Sequence, residues 1–190
     1  MLIISHNLLL KTDMDFPKHA VMRVNIAWQK NTKEVEEVLT YLKKHDIYLD
    51  YPQGRSKPPK PSITLDDAIK IAHKFPNVKY FAVSNVEDPK AIFEIRKRLP
   101  PHIELVPKIE TVKGVENLEA IVKKINTKFI MLDKEDLYVD VDKDHNLYQN
   151  LVETVRKKCK SCKIDGLELQ GVVFSPHKAT KVNGKPTKKK

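Results

Sequence analysis

The chain has 190 residues, a formal net charge of +10 and an apolar fraction of 41%. This length suits one domain with an adequate core, and no apolar run approaches the ~20 residues of a membrane span. Two cysteines, with no basic leader or small-residue cleavage site at the start of the sequence, indicate a reducing, cytoplasmic setting. The composition therefore argues against a membrane protein and against a disulfide-rich secreted domain.

The basic charge is concentrated at the C-terminal end. The last twenty residues carry six lysines and no acidic residue, which leaves a net charge of +4 on residues 1–170. Residues 177–190 are polar and contain glycine and proline, which predicts a disordered basic tail after a domain spanning residues 1–176. Such a tail could contact nucleic acid, but a solubilising end is the favoured interpretation because no aromatic residues are interleaved with the lysines.

The N-terminal part of the chain begins with strand-like segments. Residues 2–10 are an apolar run that could form a first strand. Residues 21–28 alternate, with Arg23 and Asn25 on one face, which predicts a second strand. An apolar stripe at helical spacing then predicts a helix over residues 32–45.

The same alternation continues along the chain. A short strand over residues 47–49 ends at Asp50, and the proline-rich segment 51–62 predicts a stiff surface loop. The next predicted elements are a helix from residue 64, a strand over 78–83 and a helix from residue 88.

Charged residues follow two predicted strands within the segment 104–141. Lys108 and Glu110 end the first of these strands and share one face, because side chains alternate along a strand. After a helical segment comes a second strand, 129–132, followed at once by Asp133, Glu135 and Asp136. Catalytic groups of parallel (β/α) folds collect at the C-terminal ends of strands, so this βαβ unit is the candidate site.

A helix from residue 147 and a strand over 164–174 complete the series. The repeated strand–helix order predicts an α/β fold with a parallel sheet, closed as a (β/α) TIM-type barrel. A complete eightfold barrel typically needs ~250 residues, and ~200 at the short end. Since six strands are recognisable, or seven with the N-terminal run, we expect a trimmed or incomplete barrel, or one that a second copy in a homo-oligomer completes.

Cys159 and Cys162 form a single C-x-x-C pair between a helix and a strand. A zinc site of this kind needs two such pairs, or two histidines at suitable spacing. A redox pair is an alternative, but two thiols without a chemical role are the favoured interpretation.

Several short motifs occur in the order found in one barrel superfamily. They are MRVN at 22–25, LD at 49–50, YFAVS at 80–84, PKIE at 107–110, GVEN at 114–117 and the segment from IM at 130 to DL at 137. Together they resemble the barrel domain of pyruvate kinase and, more broadly, the phosphoenolpyruvate/pyruvate-binding barrel superfamily. IET at 109–111 and EDL at 135–137 look more like the citrate lyase and 2-keto-acid aldolase branch, which also carries an Arg-Val-Asn strand.

This resemblance implies roles for individual residues. Glu110 and Asp136 would hold Mg²⁺ or Mn²⁺, which prefer oxygen ligands and act as Lewis acids towards an enolate. Lys108 would lie beside the reacting enolate or phosphoryl group and supply preorganised positive charge. Arg23 would contact the phosphate or carboxylate of the substrate. The implied substrate-binding set is Arg23, Asn25, Asp50 and Glu135.

Other assignments of these residues remain open. Asp133 or Glu135 could replace Asp136 as a ligand. Lys108 could instead form a structural ion pair with Glu110, and Arg23 one with a partner such as Asp50.

The sequence also departs from pyruvate kinase. Asn25 and Asp50 match two potassium-ligand positions, but Ala27 and Tyr51 stand at the other two, which argues against bound potassium. A nucleotide-covering lid would be inserted near residues 55–63, where only the proline-rich loop is found.

Three functions therefore stay open. The first is a metal-dependent enzyme of phosphoenolpyruvate or 2-oxoacid chemistry, similar to the pyruvate kinase core. The second is a C–C lyase or aldolase of the citrate lyase beta type. The third is a non-catalytic protein that binds a polyanion through its lysine tail or the loop Arg55–Lys60.

Overall fold

Seven parallel strands, paired in the order in which they occur along the chain, form one curled sheet. The structure, a computed structural model, describes residues 2–5, 16–54, 59 and 62–168. The strands are β1 (Ile3–Ser5), β2 (Val21–Asn25), β3 (Ile47–Tyr51), β4 (Val78–Val83), β5 (Glu104–Ile109), β6 (Phe129–Leu132) and β7 (Asp165–Glu168). The helices are α1 (Thr32–Tyr41), α2 (Leu65–Lys74), α3 (Pro89–Arg98), α4 (Val112–Ile125), α5 (Lys134–Asp140) and α6 (His145–Cys162).

The sheet confirms the predicted α/β fold and its trimmed TIM-type architecture. Each strand pairs in parallel with its neighbour in sequence, as barrel strands do. Within the described residues, β1 and β7 each have one paired neighbour and do not pair with each other. None of the described helices is both long and apolar enough to cross a bilayer. The tail 177–190 and the predicted strand residues 6–10 and 169–174 lie outside the described residues, as does most of the loop Arg55–Lys60.

Side-chain caps mark where the helices begin. The Asn31 side chain accepts a hydrogen bond from the Glu34 amide at the start of α1, and the Asp88 side chain accepts one from the Lys90 amide at the start of α3. Helix α1 ends at Tyr41 rather than at residue 45, because the chain turns there to enter β3. Helix α5 was not predicted, since its seven residues are too few to show an apolar period.

Two apolar layers enclose the sheet. The larger one lies between the strands and the helices. The smaller one fills the concave face of the curled sheet, and its fully buried members come one from each of five neighbouring strands: Val21, Tyr48, Ala82, Val106 and Met131. Tyr48 lies in this layer with its ring stacked on Tyr80 at 6.3 Å and its hydroxyl 3.4 Å from the Met131 sulfur.

Polar residues lie directly above the concave apolar layer. Since strand side chains alternate, the residue two positions beyond each apolar member faces the same side. Those five residues are Arg23, Asp50, Ser84, Lys108 and Asp133. The fold therefore places a charged layer at the C-terminal edge of the sheet, above a packed apolar floor.

Gly114 allows the first turn of α4 to approach the β4–α3 connection. An added Cβ would lie 2.9 Å from the Val86 carbonyl oxygen and 3.3 Å from Thr111 Oγ1, whereas one at Gly166 would meet only Cys159 Sγ, at 3.5 Å.

Replacing Gly114 by alanine tests this close contact. Alanine is favoured over glycine in a helix by about 1 kcal/mol, so a Gly114→Ala protein would be more stable than wild type unless the added Cβ clashed. We predict that Gly114→Ala lowers the free energy of unfolding by about 1–3 kcal/mol, measured in urea, and that Gly166→Ala does not. A stabilised Gly114→Ala protein would contradict the close approach.

Candidate metal centre

Three carboxylates converge at the C-terminal edge of β5 and β6. Oxygen atoms of Glu110, Asp133 and Asp136 all lie within 4.8 Å of one another. Glu110 directly follows β5, Asp133 directly follows β6, and Asp136 lies in the first turn of α5. The structure thus brings together Glu110 and Asp136, the pair expected as metal ligands, and adds Asp133.

Asp133 has two structural roles in this cluster. Its Oδ1 accepts a hydrogen bond from the Asp136 amide at 3.4 Å and so caps α5. Its Oδ2 lies 3.6 Å from Lys108 Nζ. Because residues three apart lie on the same side of a helix turn, the cap also holds the Asp136 side chain near that of Asp133.

Lys108 is the buried cation of the site. Its side chain is 6% exposed, and its Nζ lies 2.7 Å from Glu110 Oε1 and 3.9 Å from Asp50 Oδ2. The same ammonium donates a hydrogen bond to Ser84 Oγ at 3.1 Å. A charge in a low-dielectric interior needs opposite charge close by. For the Lys108 ammonium, the carboxylates of Asp50, Glu110 and Asp133 provide it.

Glu110 is fixed from two sides. Its Oε2 accepts a hydrogen bond from the Asn85 amide at 2.8 Å. Its Oε1 is buried and contacts Lys108 as an ion pair at 2.7 Å, without the angle of a hydrogen bond. Asn85 itself adopts a left-handed backbone with φ of 52°, and its side chain donates to the Gln53 carbonyl at 2.8 Å. The β4–α3 connection therefore holds the glutamate in position.

Arg23 and Asp50 form a second buried ion pair. Arg23 Nε donates to Asp50 Oδ2 at 2.9 Å, and Nη2 donates to the same oxygen. Arg23 Nη1 donates to Ser5 Oγ at 3.2 Å. The other oxygen of Asp50, Oδ1, is buried and receives no hydrogen bond from the part of the chain that the structure describes. Arg23 therefore has the structural partner that the sequence left as an alternative.

Burial and charge act in opposite directions on the protonation of this site. Burial lowers the pKa of Lys108, but Asp50, Glu110 and Asp133 together raise it above its usual range, so the ammonium stays charged at neutral pH. Burial raises the pKa of Glu110, and Lys108 offsets part of that effect. The pKa of Arg23 is also raised, because Asp50 outweighs the cost of its burial.

The donor set suits a hard divalent cation. Among the described residues, two basic side chains, Arg23 and Lys108, face four carboxylates, and these six side chains together carry a formal charge of −2. Carboxylate oxygens are the ligands that Mg²⁺ and Mn²⁺ prefer. A divalent ion would neutralise that charge. Its positive charge would also lower the pKa of Glu110, which burial raises.

Two other predicted site residues have different positions. Glu135 is exposed on α5 and lies outside the carboxylate group. Asn25 directs its Oδ1 to the Ala27 amide at 2.9 Å, which caps a 3-10 turn. Ser84 and Asn85 directly follow β4, and this position was an available signal for site residues that the sequence motifs did not indicate.

The two cysteines are both free thiols. Burial raises the pKa of Cys159 to about 11, so this thiol is protonated at neutral pH and is a poor nucleophile. The interpretation that the pair has no chemical role stays a prediction.

No protein-family model and no curated protein matches this chain. Solved structures do match it. The citrate synthase SbnG has a TM-score of 0.63 at 13% identity, covering 80% of this chain and 68% of its own. An HpcH/HpaI aldolase/citrate lyase family protein from Burkholderia cenocepacia J2315 gives 0.62 at 9%, covering 78% and 70%. RipC from Yersinia pestis gives 0.58 at 12%, covering 93% and 77%.

At these identities the likeness shows the fold alone. The neighbours include proteins named for the aldolase/citrate lyase family, which agrees with the citrate-lyase-like part of the sequence resemblance. The more specific likeness to pyruvate kinase stays a prediction.

The Arg23–Asp50 pair yields a stability prediction. Arg23→Met removes the hydrogen-bonding partner of the buried Asp50 carboxylate and leaves it only the Lys108 ammonium at 3.9 Å, which should cost up to about 3–5 kcal/mol in urea unfolding. Adding Asp50→Asn should recover part of that loss. Lys97→Met is the control, because it removes an exposed pair with Glu94 and should have a much smaller effect. A small loss for Arg23→Met would mean that Asp50 gains another partner.

The two thiols should differ in reactivity. With iodoacetamide near neutral pH, we expect Cys162 to be alkylated and Cys159 to be protected by burial and by its raised pKa. Peptide mass spectrometry of the native and unfolded protein measures this difference. Rapid labelling of native Cys159 would reopen the redox interpretation.

Proposed function

We propose that Glu110, Asp133 and Asp136 bind Mg²⁺ or Mn²⁺ and that the chain is a metal-dependent lyase or aldolase acting on a small 2-oxoacid. The observation that carries this proposal is the convergence of three carboxylates beside a buried lysine in the described part of the chain. The aldolase/citrate lyase names among the structural neighbours support it. We therefore place the lyase or aldolase before the pyruvate-kinase-like enzyme, whereas the sequence motifs favoured the pyruvate-kinase-like enzyme.

A bound divalent ion would supply Lewis acidity to stabilise a developing enolate. The chain itself supplies fixed positive charge for an anionic substrate. Arg23 is 15% exposed, and its Nη1 contacts only the Ser5 hydroxyl among the described residues. We propose that this end of the guanidinium meets the substrate carboxylate, since carboxylates are well matched to arginine.

Lys108 would contribute preorganised charge at the reacting end of the substrate. The apolar layer beneath it, which includes Tyr48 and Met131, excludes water from below and lowers the local dielectric. In such surroundings a fixed ammonium stabilises developing negative charge more than it would in water.

Phosphoryl transfer to or from an enolpyruvate is the second candidate. It is favoured by the position of Lys108, two residues before Glu110, as in the pyruvate kinase motif that the sequence resembles. ADP-dependent transfer of phosphate from phosphoenolpyruvate would separate this activity from a lyase. A binding protein on a degenerate barrel would show neither activity.

Calorimetry with Mn²⁺ tests the metal centre. We expect binding to wild type, stronger binding when oxalate is present as an enolate mimic, and loss of binding in Asp136→Asn. Glu135→Gln is the matched control, because Glu135 lies on the same helix but outside the carboxylate group. No binding to wild type, or an equal loss in Glu135→Gln, would contradict the proposed ligands.

Deuterium exchange tests the chemistry without knowledge of the full substrate. An enzyme that forms enolates should exchange the methyl protons of pyruvate in D₂O, observed by proton NMR, only when Mn²⁺ or Mg²⁺ is added. Glu110→Gln should abolish the exchange, and Glu135→Gln should retain it. Metal binding without exchange would favour a binding protein or a different substrate class.

A further inference from the structure

We propose that Lys108 is a tethered cation that occupies the metal centre, and that a divalent ion binds by moving its ammonium from Glu110 to Asp50. This inference rests on the proposed metal centre. Lys108 first competes with the divalent ion for Glu110, and only after its displacement can it act on the substrate. Asp50 is the residue that holds Lys108 in its second position.

The surroundings of Lys108 Nζ resemble the oxygen shell of a cation. Four oxygens surround the ammonium: Glu110 Oε1 at 2.7 Å, Ser84 Oγ at 3.1 Å, Asp133 Oδ2 at 3.6 Å and Asp50 Oδ2 at 3.9 Å. Two of the four belong to the carboxylates that define the metal centre. The ammonium therefore already neutralises the group of oxygens that a divalent ion would use.

Lys108 and a divalent ion cannot both occupy Glu110 Oε1. The amide of Asn85 already uses one lone pair of the other oxygen, Oε2, so Oε1, which accepts no hydrogen bond from the described residues, is the more available ligand for a metal. Two cations at bonding distance from one buried oxygen would repel each other strongly in a low-dielectric site. Lys108 must therefore leave Glu110 before Glu110 can act as a ligand.

Asp50 offers Lys108 a second position. The carboxylate of Asp50 is 1% exposed, and no described residue donates a hydrogen bond to its Oδ1. Its Oδ2 is 3.9 Å from Nζ, so a shift of about 1 Å reaches the ordinary range of a charge-assisted hydrogen bond. The four-carbon stem of lysine permits such a shift. Asp50 is the acceptor towards which the ammonium can move, because its Oδ2 is already within ion-pair distance of Nζ and its Oδ1 has no donor among the described residues.

The movement of Lys108 would also make binding of the ion precede binding of the substrate. With Lys108 on Asp50, its ammonium joins Arg23 on one side of the site and leaves the carboxylates that hold the ion. An anionic substrate would then meet two basic side chains beside the ion. Asp50 is thus a positioning residue, because it acts through Lys108 and Arg23.

Mn²⁺ calorimetry on single and double variants tests this competition. Lys108→Met keeps an unbranched stem of similar size and removes the ammonium, and we expect it to bind Mn²⁺ at least about tenfold more tightly than wild type. Lys134→Met controls for the loss of one nearby charge, because Lys134 pairs with Glu168 rather than Glu110; its affinity should change much less. Urea unfolding verifies that each variant is folded.

A double-mutant cycle tests the part played by Asp50. Asp50→Asn should weaken Mn²⁺ binding in the wild type, because Lys108 then lacks its second position. In the Lys108→Met background the same change should have a much smaller effect, since Asp50 acts through the lysine. An equal effect in both backgrounds would overturn the role of Asp50.

The outcomes separate this inference from the metal centre itself. Binding of Mn²⁺ by wild type, and tighter binding by Lys108→Met, supports displacement. If wild type binds Mn²⁺ and Lys108→Met binds equally or more weakly, the metal centre stands and displacement is wrong. If neither protein binds Mn²⁺, both proposals fall.

Discussion

A single buried ammonium determines how the charged edge of this sheet is organised. Lys108 is almost fully buried, and a charge in that position is tolerated only with close counter-charges. Asp50, Glu110 and Asp133 provide them from the ends of β3, β5 and β6. The pairing register of these strands is therefore tied to the charge balance of the site, since a slip by one residue would turn every partner to the opposite face.

The same alternation explains how an incomplete barrel can carry a formed site. Five consecutive strands, β2 to β6, each supply one apolar residue to the floor and a polar residue two positions later. The outer strands β1 and β7 contribute little to the charged layer; Ser5 reaches it only through Arg23. The residues proposed for chemistry come from the middle of the sheet, where the strands have neighbours on both sides. Closure of the barrel is therefore not required to bring them together.

Position after a strand was enough to predict part of the site. Lys108 and Glu110 share a face by alternation, and the acids after β6 reach the same edge because β5 and β6 are neighbours. The sequence could not choose among Asp133, Glu135 and Asp136, because all three follow the strand. The choice depends on helix α5, whose turn places residues 133 and 136 on one side and 135 on the other. The Arg23–Asp50 pair was only an alternative, because it joins residues 27 positions apart. The buried oxygen of Asp50 and the amide of Asn85 become visible only once the strands are paired.

Anomalous diffraction from a crystal soaked in Mn²⁺ would locate the ion relative to the residues described above. The account predicts a peak bonded to Glu110, Asp133 and Asp136, with Lys108 Nζ no longer 2.7 Å from Glu110 Oε1 and instead within hydrogen-bond distance of Asp50. The absence of a peak at these carboxylates, in a crystal where Mn²⁺ binds elsewhere on the protein, would contradict the metal centre. A peak at the centre with Lys108 still on Glu110 would leave the metal site in place and contradict the displacement.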